Sequence, residues 1–586
     1  MKILYRLTLL SFLVVICVTA CRRDQRSLKG GDIIIRLSKE PDRLHPLIFP
    51  NPTAREVYQY IFAPIADYDP ISLDLTPILI KDIPEVVEHP DGKISYTLEF
   101  REEATWDDGS PVTAEDYLFT LKAVLHPGTQ ATAHRGFISN IADVVLYPDN
   151  PRKITIFYDE YYMLARETAI YLEVYPEKIY DPNFVLKNIS FSEFKNKEIL
   201  DEFMEKDTSF LKFADDFNSA YFSREMVSGA GPYRLAYWEA NQTIVLERKE
   251  NYWGDKLNIS YLKNNPDKII FQVIPDEVAA LIELKRDGLD VIMNLSAEAF
   301  EQLKSDTVFA SNFDFFTPQL IRYYHIILNT KHPILQDKSV RRALAHMIDV
   351  DDLIQRIEYG HGLRVAGPIN PAKAEYNEQL KLPEFNLENA KSILAFKGWS
   401  DMNGNGILDK RINDKLVDLE LDLYITGSDL AKVIGSQLQS NAAKCGVKIN
   451  VITKDFSLTR TENLNTGNFA MIPNVASQDL GLDDPYSRFH SDNAKPGGSN
   501  YSLYESAVAD SLIQLIRTVK STPERIRLFK EFQQVIYEDQ PYIFLYVPMG
   551  RLVVSKRWQG FGTPKRPGYM ANIFTHIPVM SETKPN

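Results

Sequence analysis

The stretch "ATWDDGSPVTAEDYLFTLKAVLHP", residues 104–127, packs four carboxylates and a tryptophan into one short segment. Asp107, Asp108, Glu115 and Asp116 admit two readings. Carboxylates a few ångströms apart can split their pKa values and serve as general acid and base. The same letters also spell a turn and a capped helix. Asp-Asp-Gly is turn chemistry, with Gly109 free to take a positive φ. Thr113 followed by Asp116 is a variant of the capping box, and Glu115 and Asp116 suit the positive end of a helix dipole. Tyr117, Leu118, Leu121, Val124 and Leu125 then recur at helical spacing until His126-Pro127-Gly128 stops the helix. The spacing predicts scaffold here.

Outward from this segment, strand and helix patterns alternate. "DIIIRLS" (32–38) reads as a strand and "TAREVYQYIFAPI" (53–65) as a helix. "KISYTLEF" (93–100) alternates as a half-buried strand does, and "PRKITIFY", "NQTIVLE", "KIIFQVI" and "YYHIILN" repeat the pattern. Helical windows run over 276–287, 339–359, 387–397, 428–445 and 523–539. Such alternation predicts an α/β or α+β layered fold. A charged helical stretch, 191–217, reads as a solvated surface excursion.

At 586 residues the chain is long enough for two or three domains of roughly 100–200 residues each. A net charge of −13 without a basic, aromatic-studded patch argues against a nucleic-acid partner. The first twenty residues are set apart: Lys2 and Arg6 are followed by an apolar run, Leu7 to Val18, and by Thr19-Ala20 before Cys21. This is a secretory signal, too short to span a bilayer. "VTAC" resembles a bacterial lipobox, in which Cys21 becomes the lipid-modified first residue of the mature chain, followed by a polar tether to residue 31; an ordinary signal cut near Ala20, with Cys21 incidental, is the alternative. With Cys17 in the signal and Cys21 lipidated, Cys445 alone remains for the folded part, without a disulfide framework, and is expected buried.

The sequence has no G-x-S-x-G elbow, H-E-x-x-H, P-loop or C-x-x-C, and its ten histidines are scattered. One loop is metal-like. In "DMNGNGILDK", Asp401, Asn403 and Asn405 before Gly406 match the opening of a calcium-binding loop, and Asp409 adds a donor. Its twelfth position is Ile412 instead of a bidentate Glu, so a hydrogen-bonded turn stands as the alternative.

Several segments, in order, resemble the bacterial extracellular solute-binding proteins of the peptide/nickel type, family 5. They are "LSKEPDRLHP" (37–46), the opening segment with its Trp, Asp-Gly and Thr-Ala-Glu-Asp, "GAGPYRLAYWEANQTIVLERKENYWG" (229–254, with Ala230 where the family usually has Thr) and "LNTKHPILQDKSVRRALAHMIDVDDLI" (328–354). The resemblance implies an α/β flytrap of the periplasmic binding protein type II class with an extra, third domain. Domain I would comprise 32–75, 223–312 and 548–586, domain II 76–222, and domain III 313–547. Ligand would bind in the cleft, which closes about hinge strands. It implies no catalysis, and no cofactor is expected apart from calcium at the loop 401–409. The expected partners are an oligopeptide or other small solute, an ABC permease, and a membrane reached through the lipid. A monomer anchored in the periplasm or cell envelope is expected.

Family members commonly hold a peptide as an added strand, with a carboxylate pairing its α-amino group. The corresponding stretch is "NVASQDLGLDDPYSRFHSD" (474–492). The family places its acid four residues before a proline, but Gly481 occupies that distance from Pro485, so Asp479 takes the role only with a two-residue insertion. Val475 and Ser477 would supply strand backbone, with Asp483 and Asp484 as further ligand-side candidates. The same fold binding a metal chelate or an oligosaccharide is the close alternative. An exported hydrolase using Asp483 and Asp484 is the distant one, disfavoured because adjacent strand residues point to opposite faces.

Overall fold

The computed structural model describes residues 31–48 and 51–578. Residues 1–30, which hold the expected signal, Cys21 and all but the last residue of the expected tether, lie outside them.

Three sheets carry the architecture. The first has seven strands in the order Phe313–Phe316, Leu552–Ser555, Val291–Met293, Asp32–Leu37, Lys268–Val273, Thr243–Arg248 and Tyr233–Glu239. Asp32–Leu37 shows why it is covered on both faces. Ile33, Ile35 and Leu37 enter one core and Ile34 the opposite one, as a two-residue side-chain period requires. The second sheet is an antiparallel four-stranded one, Val86–Glu88, Ile94–Glu99, Asn150–Tyr158 and Asp143–Tyr147, and shares its core with the first. The third has five strands in the order Lys448–Thr453, Glu420–Ile425, Met471–Ser477, Arg322–Leu328 and Tyr542–Phe544. Separate cores lie on its two faces. Phe313–Phe316, which the sequence reading assigns to domain III, is hydrogen-bonded at the edge of the first sheet.

The opening segment is scaffold. Thr113 caps the helix Ala114–Leu125, and Asp116 completes the box from the third helical position. Asp116 is almost fully buried and accepts from Trp106 Nε1 (3.2 Å), the Thr113 N–H and hydroxyl (both 2.9 Å), and the Glu177 N–H (3.1 Å). The other three carboxylates go separate ways. Asp107 binds Lys249 Nζ (2.6 Å) and the Ser228 hydroxyl (2.7 Å), Asp108 pairs with Lys178, and Glu115 pairs with Lys187 (3.0 Å). No acid–base pair forms.

The charged stretch 191–217 departs from its expectation. It folds into three short helices, Phe191–Phe194, Lys197–Lys206 and Thr208–Phe217, whose aromatic side chains Phe194, Phe210, Phe213 and Phe217 are buried. Its charges decorate one face while phenylalanines at helical spacing join the core around His126. The helical window 339–359 is likewise two helices, Lys338–Ala345 and Val350–Glu358, because the Asp349 side chain caps the second.

Two crossing segments join the first and third sheets, side by side. Leu320 N–H donates to the Pro548 carbonyl (3.2 Å), Gly550 N–H donates to that of Pro318 (2.7 Å), and Gln319 bridges Met549. Adjacent crossings of this kind are where a two-lobed molecule hinges. Gly550 sits so close that an added Cβ would lie 2.5 Å from Met293 Cε.

Candidate functional site

The cleft between the lobes is bounded by contacts across it. Arg566 donates to the Gln478 carbonyl (2.9 Å), Arg525 donates to the Tyr161 hydroxyl (2.8 Å), and Lys520 pairs with Glu88 (2.7 Å). Tyr68, in the lobe of the first two sheets, approaches Gly481 in the other.

The strand Met471–Ser477 lines this cleft. It pairs along its whole length with Arg322–Leu328, but meets Glu420–Ile425 only at Met471, opposite Leu423. Beyond Met471 its second edge has no neighbouring strand among the described residues. Gln478 N–H donates to the Ile321 carbonyl (2.9 Å), and alternate residues of an antiparallel strand face the same neighbour. Ala476 and Asn474 therefore face Arg322–Leu328, while Val475 and Ser477 turn their backbone to the open edge. There the Val475 N–H is held by the Asn474 side chain (2.8 Å) and the Ser477 carbonyl by Arg488 (3.0 Å). Such an edge is able to accept another strand.

Asp479 follows directly. It is exposed, and its carboxylate makes no hydrogen bond or ion pair among the described residues. The backbone around it is fixed instead. Lys373, whose side chain is only 2% exposed, donates to the Asp479 carbonyl (3.0 Å), to the Gly481 carbonyl and to Asp483 (2.7 Å). This separates the three acids that the sequence groups together. Asp483 is engaged by Lys373 and by Gln478 Nε2 (2.5 Å). Asp484 is engaged by Arg517 (3.0 Å) and by the Tyr486 N–H (2.9 Å). Neither is free to meet a ligand, and they do not converge as a carboxylate pair, because each neutralises a different cation.

Around Asp479 lies a set of charges that sequence reading does not single out. Arg55, on the helix Pro52–Tyr58, makes no hydrogen bond or ion pair through its guanidinium among the described residues. Burial weakens its hold on the proton, but the charges of Asp67, Tyr58, Glu173 and Asp479 outweigh this and raise its pKa. Glu173, at an isolated bridge to Pro64, is pushed up to about 7 by burial; Glu56, on the same helix as Arg55 but against the buried Tyr569 and apart from this set, is pushed up to about 8 by burial. Arg55 and Glu173 retain some accessible surface while feeling strong desolvation, as groups lining a cleft do. Asp67 is tied to Lys565 (2.8 Å). In sequence, Arg55 belongs to no motif and is one residue of a helical stretch. Only the opposing lobe brings Asp479 within its field.

The loop 401–409 lies outside this set of residues, on the hairpin Asp409–Ile412 with Lys415–Asp418.

The model of the bacterial extracellular solute-binding proteins, family 5 (its middle region), matches residues 75–498. The chain belongs to this family. Membership makes it a solute-binding protein and not an enzyme. The oligopeptide-binding protein AppA of Bacillus subtilis (strain 168) is 25% identical over 548 residues, covering 92% of this chain and 91% of that protein. Among solved structures, AppA from Bacillus subtilis in complex with a nonapeptide superposes with a TM-score of 0.65 at 22% identity, over 94% of this chain and 99% of that one. NikZ from Campylobacter jejuni in complex with Ni(L-His) gives 0.65 at 20% identity, over 92% and 97%. This solute-binding protein thus has the multi-domain type II flytrap fold of its family. No helix among its described residues is long and apolar enough to cross a membrane.

Proposed function

We propose that this family 5 protein is a lipid-anchored, extracytoplasmic binding protein that captures peptides in its interlobe cleft and delivers them to an ABC permease as a monomer. The carrying observation is the unpaired carboxylate of Asp479 at the end of a strand with an open edge. A peptide laid along Val475 and Ser477 as an added strand would exchange backbone hydrogen bonds that are indifferent to side chains. Its α-ammonium would end at Asp479, and a buried ammonium without such a partner would carry a heavy desolvation penalty. The ligands named for the relatives, a nonapeptide for one and Ni(L-His) for another, bracket the class. The open edge favours the peptide, because a compact chelate has no use for a strand's N–H and C=O groups. Cys21 supplies the anchor in this reading, and its working division is domain I (32–75, 223–312, 548–586) with Phe313–Phe316 added to its sheet, domain II (76–222), and domain III as the rest of 313–547.

Native mass spectrometry of the purified protein, followed by denaturing analysis of what co-purifies, tests it. A heterogeneous set of short peptides is expected. One bound sugar or one metal chelate in place of peptides would keep the flytrap and overturn the ligand class.

A further inference from the structure

The loop 401–409 brings oxygen donors together in a way that the cleft does not use. Asp401 accepts the N–H groups of Gly404 (2.7 Å) and Asn405 (3.1 Å) on one oxygen and that of Gly406 (3.0 Å) on the other. Asn403 Oδ1 accepts from the Asn405 N–H (3.0 Å) and Asn405 Oδ1 from the Ile407 N–H (2.8 Å). Asp418, opposite Asp409 in the hairpin, takes both amide NH2 groups, from Asn403 (3.1 Å) and Asn405 (2.9 Å). By holding both amides through nitrogen it turns both carbonyl oxygens toward the loop. That is the task of an outer carboxylate in a metal site.

A second observation is independent of this loop geometry. Asp409 is fully buried, and its Oδ2 accepts from the N–H groups of Met402 (3.0 Å) and Asn403 (3.2 Å), which places the carboxylate against the loop's first residues. Its Oδ1 is buried without any hydrogen-bond partner among the described residues. An uncompensated carboxylate oxygen in the interior is costly unless something cationic meets it. None of Asp401, Asp409 and Asp418 has an ion pair among the described residues, although three negative charges share this corner.

We propose that Asp401, Asn403, Asn405 and Asp409, with Asp418 as the positioning residue, bind one divalent calcium ion. Calcium accepts six to eight oxygen ligands in adaptable geometry, including amide and backbone carbonyls, whereas magnesium demands a tighter octahedron. Among the described residues no three His, Cys, Asp or Glu side chains gather into a metal-binding group. This loop offers two acids and two amides as ligands, with the third acid one layer out. The missing bidentate acid at position 412 puts the site in the weak class, with dissociation constants of roughly 10⁻⁴–10⁻³ M, suited to an extracytoplasmic compartment. The ion would lock the hairpin to Glu420–Ile425, whose sheet carries the cleft strand Met471–Ser477.

Calorimetric titration of the chelator-stripped full chain with calcium chloride tests this, together with terbium luminescence sensitised by the neighbouring Trp399 and competed by calcium. One ion per chain is expected, with affinity reduced at least tenfold in Asp401→Asn and several-fold in Asp418→Asn. Magnesium should bind far more weakly. Asp409→Asn also loosens two backbone N–H groups, so Asn405→Ala stands beside it as a variant that leaves the buried carboxylate intact. Absence of binding at millimolar calcium in the folded wild type overturns the site. So does an affinity unchanged in both Asp401→Asn and Asn405→Ala.

Discussion

Replacing Asp479 by Asn removes one charge and almost no volume, so its effect isolates the proposed ammonium contact. Two unit charges 4 Å apart interact by about 4 kcal/mol at an effective dielectric of ~20. Asp479 is exposed in the ligand-free protein, so solvent screening and the loss of its hydration reduce that figure. Closure over a ligand works the other way by excluding water. Removing Asp479 also leaves the ligand ammonium within the field of Arg55, whose guanidinium has no ion pair among the described residues. The net loss expected is about 1.4–3 kcal/mol, or roughly ten- to 150-fold in Kd. Calorimetry with a peptide recovered from the native protein measures it, and N-terminal acetylation of that peptide supplies the second arm of a cycle. Acetylation should weaken binding to the wild type by a similar factor and cost little further in the variant. Equal affinity of Asp479→Asn and wild type for the free peptide refutes the assignment. Full additivity of the two losses refutes it as well, because the charge and the amine would then be acting at different places.

Three further expectations concern the anchor, the scaffold under the site and pH. Cys21→Ser should abolish acylation and release the protein from membranes; unchanged fractionation would remove the lipoprotein reading. Lys373→Met should destabilise the fold by about 3–5 kcal/mol, since it strips a buried cation from Asp483 and two carbonyls; a denaturation midpoint within error of wild type would mean that water replaces the ammonium. Burial lowers the folded pKa of His45 and His325 to about 3 and of His126 to about 4. Because the unfolded chain binds more protons below its value near 6.5, their contribution is present above that pH and lost on acidification. Glu173 and Glu56 have the opposite sign: raised to about 7 and 8, they stabilise fully below their unfolded value near 4.5 and lose this as pH rises through 7 to 8. Thermal unfolding of the empty protein should therefore peak near neutrality. Glu56→Gln should flatten the alkaline limb, and an unaltered limb would show that Glu56 is not the titrating group.

Local chemistry made much of the scaffold legible. The capping residues around Thr113 and the alternation in 32–38, 93–100 and 268–274 produce the helix and strands they predict, because both signals depend on neighbours within a few residues. The stretch 191–217 misled for the converse reason. Its charges are local, but the surface its phenylalanines cover, around His126, comes from elsewhere in the chain.

The acids of the candidate site divide in the same way. That Asp479, Asp483 and Asp484 lie close together is written in the chain. Which of them is free depends on Lys373 and Arg517, more than a hundred and about thirty residues distant in sequence. Arg55 feels the charge of Asp479 only because the lobes face each other, and Asp418 reaches Asn403 and Asn405 only through a hairpin register. By itself the sequence determined the family, the period and capping of its elements, and the order in which they run, since each is carried by residues close together. The tertiary structure decided which carboxylates are neutralised, which strand edge stays open and which charges face one another across the lobes. Those outcomes depend on charge pairing and burial between segments far apart along the chain.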